Sequence, residues 1–566
     1  MKRSSFVAAF AALTLAMPAA FSSAFAQGLP VTPADQAAGK AWWAHIQVLA
    51  ADDMRGRLTG TDDYLRAAAY VVSQFKTDGL KPAGTEGYYQ PVHFDVTRVI
   101  AAKSSLTLIS GSTRTPLVLG QDAILSARGA QPHAVEAPLV FLGYGLHLPE
   151  AHYDDFNSAE VPLASLKGKI VVLINGGPAE LSGALKSYAR TAPLAKALAS
   201  AGVLGVISIP TPKSMDFGWE RIASSASQPG MRLAPTPTDA AIATAHPALA
   251  DLRHTMFSAT FNPGQAEKLF AGTGHTFAEL LALADAQKPL PHFALHKSLS
   301  ATVATENTTV TSPNLVAKLE GSDPALKAEY VLVSAHLDHL GVGAPIAGST
   351  IYAGAIDDAS GVASVLEIAK RFSHAPERPK RSMLFVVFTA EEKGLLGSRY
   401  FAGHPSVPSS AIVADLNMDM FMPIFALKKL HVQGLAESTL QDDARAVGAE
   451  HHIEIATDPE PDRNSFIRTD QYSFVQAGVP ALAMKFGWTI GSPEYKAWRQ
   501  WLALRYHSTQ DNLSQPVDIA AAAQFDSFLG DLARRVANNP ARPHYLATSF
   551  FHRFETPAPG ASSAGR

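Results

Sequence analysis

Tyr330-Val-Leu-Val-Ser-Ala-His336-Leu-Asp338 is the stretch whose reading decides the fold. A short apolar run rich in β-branched residues makes a buried strand, and it empties directly into a histidine and an aspartate. The pattern recurs along the chain. Ser382-Met-Leu-Phe-Val-Val-Phe-Thr389 leads into Glu391-Glu392, and Ala411-Ile-Val-Ala-Asp-Leu416 leads into Asn417-Met-Asp419. Val479-Pro-Ala-Leu-Ala-Met484 reads as a further strand. Between the first two, Val362, Val365, Leu366, Ile368, Ala369 and Phe372 recur at helical spacing just after Asp357-Asp358. Alternating strand and helix predicts an α/β fold, with a mixed, largely parallel sheet sandwiched by helices. In such sheets ligands bind beyond the carboxyl ends of the strands. His336, Asp357, Glu391, Glu392 and Asp419 are expected to gather there, with His507 joining from the late loop Arg505-Tyr-His-Ser-Thr-Gln-Asp511.

Taken singly, each of these residues has an ordinary explanation. Asp357 and Asp358 could be N-cap residues. Glu391-Glu392 could open a solvated helix, where the dipole favours acids. Asp419 could be a buried hydrogen-bonded acid, and His336 a satisfied polar group. The conjunction on one side of one sheet points instead to a paired divalent-metal site. Zinc accepts imidazole nitrogen and carboxylate oxygen, and two ions about 3.5–4 Å apart need one carboxylate that reaches both. Neighbouring side chains at a strand end point in opposite directions. One of the two glutamates can therefore ligate while the other handles protons. Asp338, two residues after His336, is placed to orient the imidazole.

Composition narrows the rest. The 566-residue chain has 47 Lys+Arg against 50 Asp+Glu, a net charge of −3, which gives no electrostatic case for nucleic acid. It has no cysteine, so disulfides, thiolate metal sites and cysteine nucleophiles are excluded together. Any metal must be held by nitrogen and oxygen. HExxH, P-loop and GxSxG motifs are also missing. Residues 1–26 read as a secretory signal. Lys2 and Arg3 precede an apolar run from Phe6 to about Phe21, and Ala24-Phe25-Ala26 supplies a cleavage pattern. The expectation is an exported, periplasmic or secreted protein with no membrane association after cleavage.

The region 134–290 has a different texture. Short β-like runs at 137–143, 169–174 and 203–209 are joined by turn-rich loops, with an Ala-rich helical stretch from Ala192 to Ala201. It is expected to be a separate β-rich domain. It would split a larger domain into a first part, 27–133, and a main part, 291–545, with 546–566 as a disordered tail.

The segments AHLDHLGVG (335–343), GAIDDASG (354–361), TAEEKGLLGS (389–398), LNMDM (416–420), RTDQYSFVQAGVPAL (468–482) and YHSTQDNL (506–513) together resemble the secreted zinc aminopeptidases with two co-catalytic metals. The wider group includes the glutamate carboxypeptidases. DDMRGRLTGTDDY (52–64) and FKTDGLKPAG (75–84) look like the start of that peptidase domain, and the middle region is similar to the protease-associated domain inserted in many members.

The resemblance implies roles. His336 and Asp419 would hold one zinc, Glu392 and His507 the other, and Asp357 would bridge. Two Zn2+ are implied per chain, with Co2+ or Mn2+ as substitutes. Glu391 would be the general base, Asp338 the partner of His336, Tyr506 the hydrogen-bond donor to the oxyanion, and Arg468 a substrate contact. The implied activity is removal of N-terminal residues from peptides. Its rivals are a glutamate carboxypeptidase-type enzyme, a single-zinc cyclising acyltransferase and a non-catalytic binding protein on the same scaffold. The chain departs from the family pattern at Ile356, where many members are polar, at Gln471, where many have His, and at Thr469, where many have Ser.

Overall fold

The structure is a computed structural model that describes residues 29–156, 158–250, 255–463 and 465–555. The signal reading of 1–26 lies outside these residues. Among them, the main sheet has ten strands. Its order is Gly230–Leu233, Tyr89–Val99, Thr305–Leu319, Ser382–Phe388, Tyr330–His336, Ile412–Asn417, Ala481–Phe486, Lys429–Gln433 and Glu454–Ala456, with Lys81–Pro82 paired to Thr305–Leu319. The centre is parallel and is joined to both flanks by antiparallel pairs, while the edge pair of Lys429–Gln433 with Glu454–Ala456 is again parallel.

Register is what assembles the site. His336 pairs with Phe388, and Ser334 with Asn417. Three neighbouring strands thus end at one level, and the polar residues that follow them emerge side by side.

Alternation of side chains feeds two apolar layers. Val331, Val333 and Ala335 face a core built with the helices Pro33–Leu49, Asp62–Thr77, Ser360–Ser373 and Ile519–Asn538. Leu332, Leu384 and Val386 face Phe401 and Phe474 on the other side. The helix starts follow local chemistry. Thr32 makes a capping box with Asp35 ahead of Pro33, and Thr61 caps the next helix through the Tyr64 amide. In that helix Tyr64, Ala68, Val71, Val72 and Phe75 are buried, as their helical spacing predicts, whereas Leu65, expected on the same face, is exposed.

The middle region forms its own eight-stranded sheet, in the order Thr113–Leu117, Ser105–Ser110, His292–Thr302, Ala134–Leu142, Ile170–Ile174, Gly205–Ile209, Phe257–Phe261, Ala123–Leu125. The expected helix is present as Ala192–Ser200. The expected limits of 134–290 are too narrow. The strands at 105–125 and 292–302 belong to this sheet, and the last rung of the main-sheet ribbon is Val99 opposite Thr305. The chain leaves and returns between those two residues, where the Ile100 amide donates to the Ala304 carbonyl at 2.8 Å. The tail limit is also corrected. Phe550–Phe554 is a 3₁₀ helix with Phe551 buried, and the Tyr545 hydroxyl donates to the Val479 carbonyl at 2.7 Å. An aromatic-rich segment finds apolar partners that its Pro- and Gly-rich neighbours at 556–566 do not offer. Those last residues lie outside the described ones.

Candidate metal centre

His336 is the last residue of its strand and is buried. Its Nδ1 lies 3.0 Å from the Asp338 carbonyl oxygen. A carbonyl only accepts, so the ring proton sits on Nδ1, and Nε2 presents its lone pair. That Nε2 faces Asp357 Oδ1 at 3.3 Å, Glu391 Oε2 at 3.9 Å and Asp419 Oδ2 at 4.0 Å. The Asp338 carboxylate is spent elsewhere. It accepts from the Glu391 amide and the Thr59 hydroxyl, both at 3.0 Å, and so ties the loop after one strand to the loop after its neighbour.

Asp357 sits in the tight segment before the helix Ser360–Ser373. The capping role falls to Asp358, whose Oδ1 accepts from the Gly361 amide at 3.0 Å. Asp357 is left for other work. Its backbone is clamped by Asp511, whose two oxygens accept from the Ile356 and Asp357 amides at 2.9 and 3.0 Å. Gly354 permits the turn. Its φ is +62°, and a Cβ there would stand 2.2 Å from the Asp357 carbonyl oxygen. The fully buried Arg57 completes the frame by donating to the carbonyls of Leu49, Leu337, Ala353 and Gly354. Burial lowers its pKa only to about 10, so it stays charged at neutral pH.

The two oxygens of Asp357 face different histidines. Oδ1 meets His336, and Oδ2 lies 3.3 Å from His507 Nε2. Glu392 stands beyond, with Oε2 3.2 Å from His507 Nε2 and Oε1 2.7 Å from His339 Nδ1. His336, Asp357 and Asp419 converge closely enough to share one ion, and His339, Asp357 and Glu392 form a second such group. Asp357 belongs to both. Sequence reasoning does not single out His339. Its signal is the second histidine of His336-Leu-Asp-His339, which brings another imidazole onto the same side.

The electrostatics agree with this layout. Burial works against charge on Asp357, yet His339, His336 and His507 hold its carboxyl well below the usual carboxylate range. Burial also works against charge on His507, but Glu392 and Asp357 raise its pKa to about 10. Burial pushes Glu391 well above its ordinary value, and Asp419 and Glu392 add to the effect. The donor set fits divalent metal. His336 Nε2, His339 Nε2 and Asp357 Oδ2 are buried without a hydrogen bond, and His339 Nδ1 and Glu392 Oε1, though 2.7 Å apart, are not aligned for one; such atoms are costly unless something coordinates them. All are nitrogen or oxygen donors of the type zinc accepts.

Residues 314–532 match the family model for peptidase family M28. The chain carries an M28 peptidase domain. Leupeptin-inactivating enzyme 1 of Streptomyces exfoliatus is 28% identical over 249 residues, 41% of this chain and 50% of that protein. Carboxypeptidase Q of Rattus norvegicus is 30% identical over 182 residues, 30% and 33% of the two chains. The chain spans half or less of the length of the curated relatives it matches. The solved aminopeptidase from Aneurinibacillus sp. strain AM-1 shares the fold at a TM-score of 0.52 and 19% identity, covering 89% of this chain and 95% of that one.

In the M28 domain, Arg468 and Tyr506 line a small pocket beside Asp357, Glu391 and Asp419. The insertion closes one wall. Its Asp216 pairs with Arg468 at 2.8 Å and also with Arg463. Phe217 packs against the rings of Tyr506 and His507, with centroids 5.7 and 5.9 Å away. Arg221 donates to the carbonyls of Ala503 and Tyr506, both at 2.8 Å. On the M28 side, Gln471 bonds Thr469 and the Phe466 carbonyl, locking the loop that carries Arg468. Ile356 joins an apolar cluster with Met420, Met422, Trp501 and Leu502. All three departures from the family pattern thus sit in local packing around the candidate metal-binding residues. A second, larger cleft of about 640 Å3 reaches Glu391, Glu392 and His507 from the other side, between the insertion and the M28 domain.

Proposed function

We propose that the chain is an exported di-zinc exopeptidase that removes N-terminal residues from peptides, and that the insertion is a protease-associated domain walling its substrate channel. The observation that carries this reading is Asp357, buried, framed by Asp511 and Arg57, with one oxygen toward each of two histidine-bearing groups. His336 and Asp419 would hold one ion, and Glu392 and His507 the other, with His339 against Glu392. Bound there, two divalent ions supply Lewis acidity that polarises a carbonyl and lowers the pKa of water.

The chain's own residues do the rest. Glu391 belongs to neither convergent group, so its carboxylate is free to take a proton from the attacking water and return it to the leaving amine. Asp338 holds Glu391 by its amide and leaves the glutamate side chain aimed past His336. Tyr506 offers a hydroxyl where negative charge develops on the carbonyl oxygen. Arg468, steadied by Asp216, orients the substrate beside it. The narrow pocket suits a single residue and the wide cleft the remaining peptide, which favours cutting near one chain end. Export rests on the signal-like residues 1–26; among the described residues no helix is long and apolar enough to cross a membrane.

A glutamate carboxypeptidase-type reaction is the second reading, favoured by the basic residues around the pocket. Zinc-loaded protein assayed on aminoacyl-4-nitroanilides and on N-blocked peptides separates the two. Release of 4-nitroaniline is the expected result, and cleavage confined to the blocked peptides would overturn it.

A further inference from the structure

The two sides of Asp357 are supported by different parts of the molecule. On the side of its Oδ2 stand His339, Glu392 and His507. Each of the three has a backbone carbonyl, its own or one nearby, that accepts a hydrogen bond from the insertion. Gln228 Nε2 donates to the Leu340 carbonyl at 3.0 Å, beside His339. Arg128 donates to the Glu392 carbonyl at 3.4 Å. Arg221 donates to the carbonyls of Leu502 at 3.4 Å and of Ala503 and Tyr506 at 2.8 Å, just ahead of His507. The backbone on the other side is held from within the M28 domain. Asp358 accepts from the His336 amide at 3.4 Å and the Met420 amide at 3.3 Å, and the Ser334 carbonyl accepts from the Met418 amide at 2.8 Å.

Arg221 contributes most. His507 follows the helix Pro493–Leu504, and the last carbonyls of a helix have no partner within it. A guanidinium placed there satisfies them and is favoured by the helix dipole. His507 itself has φ +50°, a left-handed backbone that a residue with a Cβ keeps only where its surroundings fix it. Arg221 holds the Tyr506 carbonyl immediately before that turn. Its guanidinium also lies 5.1 Å from the centre of the Phe217 ring, and Phe217 packs against the His507 imidazole. The insertion thus grips both the backbone before His507 and the ring itself.

We infer that the insertion is a working part of the metal centre, with Arg221, Gln228 and Arg128 as positioning residues for His507, His339 and Glu392, so that the ion on that side is held only as tightly as the insertion is seated. The inference rests on the two-ion reading and goes beyond it. Linkage requires the reverse as well: that ion favours the seated insertion by the same factor.

Zinc titration of the metal-stripped full chain by calorimetry tests this. Arg221→Met keeps the stem and removes the donors, and Arg221→Lys restores one donor. Each is placed in Asp419→Ala, which leaves the Glu392–His507 side intact, and in His507→Ala, which leaves the His336–Asp419 side. In the Asp419→Ala chain, Arg221→Met is expected to weaken zinc binding about 10–100-fold, the usual worth of a group that orients a metal ligand. Arg221→Lys should recover part of that loss. In the His507→Ala chain, zinc affinity should not change. Weakening in both backgrounds would mean general loosening, and weakening in neither would mean plain docking; either overturns the inference. Hydrogen exchange gives a reading that needs no change at Arg221. Amides of Trp219–Ser225 should slow on adding zinc to the Asp419→Ala chain and not to the His507→Ala chain, and an equal response in both overturns the inference. A wild-type chain that takes up one zinc overturns the two-ion reading and the inference with it. Two zincs bound alike by wild type and Arg221→Met overturn the inference alone.

Discussion

Beside each of the two large sheets a histidine meets a buried aspartate, and the pairs differ in how their polar atoms are used. In the insertion, Asp155 Oδ2 accepts from the Leu146 amide at 2.9 Å, and Oδ1 accepts from the Tyr153 hydroxyl and faces His292 Nε2, each at 2.9 Å. Each oxygen of that carboxylate is answered by the protein. In the M28 domain, His336 and Asp357 approach at 3.3 Å, yet His336 Nε2 and Asp357 Oδ2 have no hydrogen bond, and their neighbour Glu392 meets His339 Nδ1 at 2.7 Å without the alignment of one. Both pairs look alike in a sequence, as a histidine and an acid near β-runs. Counting donors and acceptors separates them. A pair the protein satisfies holds the fold together, and a pair it leaves open in company with other open donors is built for a ligand from outside.

Substitution at the open pair should break function first and fold last. Asp357→Asn is expected to have the largest effect, a fall in zinc per chain together with a loss of turnover of more than about 10³-fold. Atomic absorption on the purified variant checks it, and an unchanged zinc content would remove Asp357 from the bridging role. Glu391→Gln should cost about 10²–10⁴ in kcat, the usual worth of a positioned proton carrier. Zinc content should stay at the wild-type value, since the glutamate lies outside both convergent groups. Near-normal turnover would refute its assignment. At the satisfied pair the outcome reverses. Asp155→Ala strands the Leu146 amide, the Tyr153 hydroxyl and His292, so it should lower unfolding stability by about 2–3 kcal/mol. Zinc content should not change below the melting transition. Denaturant unfolding beside metal analysis reads both, and zinc loss in folded Asp155→Ala would collapse the distinction between the pairs.

The amino-acid sequence carries the open pair further than the fold around it. Strand ends are locally encoded, because an apolar run must stop where polar residues begin. His336, Glu391, Glu392 and Asp419 can therefore be placed on one side of a sheet from residue pattern alone. The frame that holds them is not local. Arg57 lies almost three hundred residues before the Ala353 and Gly354 carbonyls it binds, and Asp511 about one hundred and fifty after the amides it clamps. Asp216 reaches Arg468 from a different sheet. No periodicity announces such contacts, since each residue alone reads as an ordinary surface charge. The limits of the insertion are hidden for a related reason. Its outer strands pair across a gap of nearly two hundred residues, Ser105–Ser110 against His292–Thr302, and the Ser- and Thr-containing runs there resemble loops.

Asp526 offers a third case that sharpens the count. It is buried on the helix Ile519–Asn538, and its Oδ1 has no hydrogen bond. Among the described residues no cluster of open donors surrounds it, so no metal is implied. A lone buried carboxyl escapes the penalty by keeping its proton. Burial raises its pKa to about 8, and Glu367 adds to the rise against the opposing effects of Ser364 and Arg371. The sign then follows from linkage. An unfolded aspartate loses its proton near pH 4, while the folded one keeps it until about pH 8. Between those values the native state holds a proton that the unfolded state does not. Stability from this group is therefore complete below about pH 4 and declines as pH rises through 8, by up to about 1.4 kcal/mol per pH unit. Asp526→Asn removes the ionisation and keeps the shape. The difference in unfolding free energy between wild type and variant, measured from pH 5 to 8 at fixed zinc, should therefore shift steadily in favour of the variant. A difference that stays flat across that range would mean Asp526 is ionised and answered in the folded protein, and the rule drawn from the two histidine–aspartate pairs would not extend to it.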